Sequence, residues 1–124
     1  MDLLPTLCEI AGIEVSPDVD GISLLPTLQG KPQQTDDRDL FFHRREGGDG
    51  FGGLTIQALR RGPWKLLQNS PFEPLELYNL EADPLETNNL AASDRDKFRQ
   101  LSTRLRAHIQ RGGAVPWQRP VKPN

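Results

Sequence analysis

A chain of 124 residues is one domain's worth, and too short for two sizeable cores. Hydrophobic residues make up 35% and eleven Gly accompany eleven Pro, so a loop-rich domain with a modest core is expected. The net charge is −2, and a single cysteine, Cys8, excludes an intrachain disulfide and a cysteine-based zinc cluster.

The first segment, Asp2 to Gly12, reads as a short helix. Asp2 is placed to cap it, Pro5 sits in the first turn where a missing N–H costs little, and Gly12 ends it. Leu3, Leu4, Leu7, Cys8 and Ala11 share one face, which makes Cys8 a small buried hydrophobe. After the turn at Asp20-Gly21, a second short helix starts at Ser23 as its cap and stops at Gly30. Lys31 to Asp37 is polar and serves as a linker.

The pattern then changes to period two. Arg38 to His43, Leu54 to Arg60, Trp64 to Gln68 and Leu75 to Leu80 are four strand candidates. Short connections make them antiparallel. Between the first two lies Gly48 to Gly53 (GDGFGG), which matches the G-x-G-x-x-G pattern of a phosphate-cradling turn. That turn needs a helix behind it, whereas Leu54 to Arg60 alternates apolar and polar residues as a half-buried strand does. A hairpin loop is therefore expected, and no nucleotide.

Glu81 to Leu90 is rich in turn formers. Ser93 with Asp96 resembles a capping box that opens a helix reaching about Arg111, where Gly112-Gly113 stops it. Phe98, Leu101, Leu105 and Ile109 form its apolar stripe, which should lie on one face of the sheet. Residues 112–124 read as an extended tail. The fold class is thus α+β: a small four-stranded antiparallel sheet packed by a C-terminal helix and preceded by two short helices. Three parts are expected, at residues 1–37, 38–111 and 112–124.

Residues 94 to 124 hold eight Arg or Lys against Asp94 and Asp96 only. A charged helix face is most often solvated, and no nucleic-acid partner is expected. No apolar run approaches the roughly 18 residues of a membrane span and no basic segment precedes one, so neither a membrane partner nor a signal peptide is expected. His43 and His108 are the two histidines, and neither has carboxylates or thiols at ligand spacing, so no metal site is assigned. The acidic groups at Asp36, Asp37 and Asp39 and at Glu81, Asp83 and Glu86 read as turn chemistry. His43, Arg44 and Arg45 open the Gly-rich loop and are the candidates for contacting an anionic substrate; the plainer alternative is a solvated loop. No catalytic constellation is complete.

Four segments in order carry a family resemblance: Met1 to Gly12 (MDLLPTLCEIAG), Asp20 to Gly30 (DGISLLPTLQG), Arg60 to Leu66 (RRGPWKL) and Leu77 to Leu90 (LYNLEADPLETNNL). Together they resemble the C-terminal part of the sulfatase family, arylsulfatase-like hydrolases of the alkaline-phosphatase-like superfamily. The resemblance implies a large α/β domain elsewhere that holds calcium and a formylglycine nucleophile, made from Cys or Ser in C-x-[PA]-x-R. Cys8 is followed by Glu9-Ile10-Ala11-Gly12 and departs from that motif, so no cofactor is assigned to this chain.

What the resemblance implies is a C-terminal fragment or subdomain of a sulfuric ester hydrolase, inactive alone, with residues 1–37 as the tail of the large domain. It would complete the fold and the active-site rim, where His43, Arg44 and Arg45 would meet a sulfated substrate. The implied partner is the N-terminal sulfatase domain, or a second copy held through exposed apolar residues such as Leu3, Leu7, Leu24 and Leu28. Members are often periplasmic, extracellular or lysosomal. The alternative is a stand-alone module that binds sulfated or other polyanionic ligands.

Overall fold

The computed structural model describes residues 1–16, 18–33, 35, 37–45 and 55–113. Chain contacts divide it into two compact units, Met1–Thr35 and Asp36–Asn124. The architecture is α+β.

In the first unit, helix α1 spans Leu3–Ile10 and helix α2 spans Leu25–Leu28. Both end alike. Gly12 and Gly30 adopt φ of +69° and +71°, and the amides of Ile13 and Lys31 reach back to the carbonyls of Cys8 and Pro26 at 2.9 and 2.8 Å. Only a residue without Cβ takes that left-handed conformation cheaply, which is why each helix stops at its glycine. The expected caps are corrected: neither Asp2 nor Ser23 caps its helix through its side chain. Asp2 instead accepts the Ile22 amide at 3.1 Å, and Ser23 accepts the Leu25 amide in a local turn at 3.2 Å. Thr6, 5% exposed, donates its hydroxyl to the Asp2 carbonyl at 2.6 Å and accepts the Leu24 amide at 2.9 Å. Those two side chains latch the 22–24 segment onto α1. Pro5 and Thr6 are the buried residues of α1, whereas Leu3, Leu4, Leu7 and Ile10 are exposed and Cys8 is half-buried. Leu28 is exposed as well, while Leu24 is half-buried rather than exposed.

The second unit holds four strands, β1 (Asp39–Arg45), β2 (Thr55–Arg61), β3 (Trp64–Gln68) and β4 (Glu76–Asn79), followed by helix α3 (Arg95–Gly113). The sheet runs β1-β2-β3-β4 with every pair antiparallel. A strand, not a helix, follows the Gly-rich segment, whose own residues 46–54 lie outside those described. Between β2 and β3 a two-residue turn has Gly62 at φ +54°, the positive value that a two-residue hairpin with Gly first requires.

Register explains the core. Phe41, Leu59, Leu66 and Leu77 stand opposite one another across all four strands and so share one face. Leu101 and Leu105 of α3 close over that row, and Leu59, Leu66, Leu77, Leu101 and Leu105 are at most 1% exposed. Each such leucine contributes roughly 1.5–3 kcal/mol by leaving water. The cap of α3 is one residue later than the sequence pattern suggests. Asp94 accepts the Lys97 amide at 3.1 Å, while the Ser93 hydroxyl donates to the Leu90 carbonyl. Helix α3 continues through Gly112 and Gly113 rather than stopping before them.

Candidate functional site

Strand β1 carries the sequence candidates, extending two residues beyond the expected end because Arg44 and Arg45 still pair with Ile56 and Thr55. Alternation along a strand then separates neighbours. His43 falls on the α3 side with Phe41: the His108 ring of α3 stacks on Phe41 at 3.8 Å between centroids and on His43 at 5.2 Å. Arg44 falls on the opposite face with Phe42, so His43 and Arg44 leave the strand on opposite sides and meet only around the edge of β1. Phe41, Phe42, His43, Arg44 and Ile56 border a shallow, open hollow of about 380 Å³.

The same edge of the sheet is fixed by an ion network. Asp39 places Oδ1 2.8 Å from Arg61 and Oδ2 2.8 Å from Arg104 of α3, and Arg61 also meets Asp37 at 2.9 Å. The hydrogen bond to Asp39 is the main reason the Arg61 pKa is raised, so its charge is permanent. Asp39 and Arg104 are 65 residues apart, and no local pattern in the sequence announces their pairing.

Leu77 to Leu90, one of the stretches that carries the resemblance, forms a clasp on the sheet edge. The Asn89 side chain accepts the amides of Leu77 at 3.1 Å and Ala91 at 3.0 Å, and the Leu90 amide donates to the Leu77 carbonyl at 2.7 Å. An open strand edge is thereby covered. Asp83 turns the chain: its carboxylate accepts the Thr87 hydroxyl at 3.0 Å and the Asn88 amide at 2.8 Å. Backbone donation from Asn88 and Thr87 holds its pKa below the usual carboxylate range. Glu86 takes a left-handed φ of 57°, and both its carboxylate oxygens receive Lys65 Nζ, at 2.6 and 2.7 Å.

On the sheet face away from α3, Phe42, Ala58 and Leu67 line up across three strands. With Arg60, Lys65 and Leu80 they border an open groove of about 440 Å³. Burial is the first cause that raises the Tyr78 hydroxyl pKa on this face, with Glu76 adding to it.

Among the described residues no three of His, Cys, Asp and Glu are grouped to hold a metal. Cys8 has no arginine at the place the formylglycine motif needs. The described residues therefore offer no ligand set for calcium, and Cys8 does not fit the formylglycine motif.

Comparison with known proteins gives the family. The family described as "N-sulphoglucosamine sulphohydrolase, C-terminal" matches residues 1–113. The choline-sulfatase of Rhizobium meliloti is 37% identical over 105 residues, which is 82% of this chain and 19% of that protein. The delta 4,5-hexuronate-2-O-sulfatase of Bacteroides thetaiotaomicron is 38% identical over 93 residues, 73% of this chain and 19% of that protein. The solved structure of a 2-O GAG sulfatase superposes with a TM-score of 0.71 at 30% identity, covering 89% of this chain and 24% of its own. The chain thus spans about a fifth of the length of the curated relatives it matches.

Proposed function

This chain belongs to the sulfatase family, in its C-terminal region, and we propose that it serves as the small subdomain of a hydrolase that cleaves sulfate esters of saccharides. The observation that carries this reading is the pairing of a match over residues 1–113 with coverage of only about a fifth of each curated relative. A saccharide is favoured over a small alcohol because the names of two relatives, a hexuronate-2-O-sulfatase and a 2-O GAG sulfatase, refer to sugars. The sulfate ester is cut in the large domain, which holds the calcium ion and the formylglycine.

The partner is that large domain, and α1 is the surface that meets it. Leu3, Leu4, Leu7 and Ile10 are 57 to 75% exposed, an apolar row of a size that soluble surfaces seldom leave uncovered. Without the large domain the same row drives self-association. His43, Arg44 and Arg45 stand where β1 enters the 46–54 segment and form part of the active-site rim, where they contact the sulfated substrate.

The test uses the choline-sulfatase relative prepared without its matching C-terminal portion. Mixed with this chain, it should co-elute on size exclusion and gain turnover of an aryl sulfate, and Leu3→Glu with Leu7→Glu should abolish both. Separate elution of the unaltered chain, with turnover unchanged, would refute the reading.

A further inference from the structure

The two flanks of α3 are used differently. On the flank beside β1, Arg104 is neutralised by Asp39 and His108 stacks on Phe41. The other flank carries Arg95, Arg99, Ser102 and Arg106, at spacings of 4, 3 and 4, which places them on a single helical stripe. All three arginines are exposed, and among the described residues none of them pairs with a carboxylate.

Asp96, three residues before Arg99, is the nearest acidic residue in the first turn of α3, yet no ion pair to the arginines forms among the described residues. The Asp94 carboxylate is directed at the Lys97 amide, and Lys97 itself leans over the Trp64 ring and donates to Gln100. Arg95 and Arg99 are like charges one turn apart, an arrangement that weakens a helix unless an anion lies between them. Between the arginines the surface dips. Ser102 is 6% exposed, and its hydroxyl turns back onto the carbonyls of Phe98 at 2.7 Å and Arg99 at 3.2 Å. Beside this small side chain lies an open hollow of about 370 Å³, lined by Ala92, half-buried Phe98 and Ser102 together with Arg95, Arg99 and Arg106.

We infer that this stripe, on the flank of α3 away from β1, is a docking site for a sulfated polysaccharide, an inference that rests on the reading of the chain as a sulfatase subdomain. Guanidinium groups match the oxygens of sulfate in a two-pronged geometry, and they shed water more readily than lysine does. Arg95 to Arg106 spans about 16 Å of helix, so an extended polymer bearing several sulfates engages all three, whereas a single sulfate engages one. Phe98 accepts the apolar face of a sugar ring. Such a strip holds the polymer near the enzyme while individual esters are cut elsewhere.

The experiment titrates the 124-residue chain with fluorescein-labelled dextran sulfate, unsulfated dextran and a single-stranded DNA of equal charge, at low and physiological salt. Arg95→Ser/Arg99→Ser/Arg106→Ser is compared with a charge-matched control, Lys31→Ser/Arg60→Ser/Lys97→Ser, and circular dichroism checks that both remain folded. Expected is dextran sulfate binding that weakens about tenfold in the first triple variant and far less in the control, and that falls with salt. Unsulfated dextran should not bind, and the DNA should bind more weakly than dextran sulfate. Equal losses in both triple variants, or DNA bound as tightly as dextran sulfate, would overturn the inference. Because the titration needs no large domain, its failure leaves the subdomain reading standing, and failure of the co-elution test leaves this one standing.

Discussion

Asn89→Ala offers a sharp test of how the LYNLEADPLETNNL stretch stabilises the fold, because Asn88, its neighbour, provides a matched control. Asn89 Oδ1 accepts two backbone amides, from Leu77 at 3.1 Å and Ala91 at 3.0 Å. Leu77 is fully buried in the edge strand β4, so truncation leaves its amide without a partner in a place water reaches poorly. Each lost hydrogen bond costs about 1 kcal/mol net, and an orphaned buried donor raises that to about 1–3 kcal/mol. The expected loss is therefore about 2–3 kcal/mol, or roughly 8–20 °C in Tm for a unit of this size. Asn88 donates its backbone amide to Asp83, a bond that Asn88→Ala retains. That variant should stay within about 0.5 kcal/mol of the parent. Thermal unfolding followed at 222 nm and urea titration both measure the difference. If the two alanine variants melt within about 2 °C of each other, the clasp on β4 contributes nothing and the reasoning fails.

Other variants probe the remaining contacts. Leu66→Ala, in the middle of the row that spans all four strands, should cost about 2–5 kcal/mol by the same urea titration, since the rigid sheet cannot collapse into the cavity. Asp39→Ala leaves Arg61 and Arg104 without their shared carboxylate; because both side chains are partly exposed, the loss is expected at about 1–2 kcal/mol and should shrink at high salt. For Asp83 the folded pKa is lowered, so its contribution is present above the unfolded value of about 3.9 and is lost as pH falls through the lower folded value. Asp83→Asn should consequently flatten the decline of the urea midpoint below about pH 4, and an unchanged decline would contradict the assignment.

Much of the sheet was legible because its signals are local. Trp64 to Gln68, apolar at Trp64, Leu66 and Leu67, lies between the Arg61-Gly62-Pro63 turn and the turn formers of Asn69 to Pro74, and β3 has those same ends. Strand β1 runs past His43 because pairing of Arg44 with Ile56 and of Arg45 with Thr55, across the 46–54 segment, keeps both extended. Helix caps were displaced as well. Ser93 and Asp94 both suit the start of α3; Asp94 takes the cap by accepting the Lys97 amide, while the Ser93 hydroxyl donates to the Leu90 carbonyl in the local turn before it. Asp2 suits a cap by type, yet the Ile22 amide twenty residues on claims its carboxylate.

The candidate site was legible only as a list of donors. His43 and Arg44 are adjacent in sequence and on opposite faces in the sheet, a consequence of strand alternation once β1 is seen to include them. His108 was legible as a histidine without metal-ligand spacing, and its stacking on Phe41 and His43 depends on the register of α3 against β1. The arginine stripe on the far flank has a local spacing that a charge count blurs: Arg104 belongs to the same basic run, and its partner Asp39 lies 65 residues upstream.

If this chain is, as proposed, a sulfatase subdomain whose chemistry lies in a larger partner domain, the chain alone cannot hydrolyse a sulfate ester. The most direct test is hydrolysis of a chromogenic aryl sulfate by the purified 124-residue chain with added calcium, beside an intact sulfatase. The account predicts no turnover above the buffer blank for the chain and robust turnover for the control. Turnover that follows the chain through repurification would contradict it.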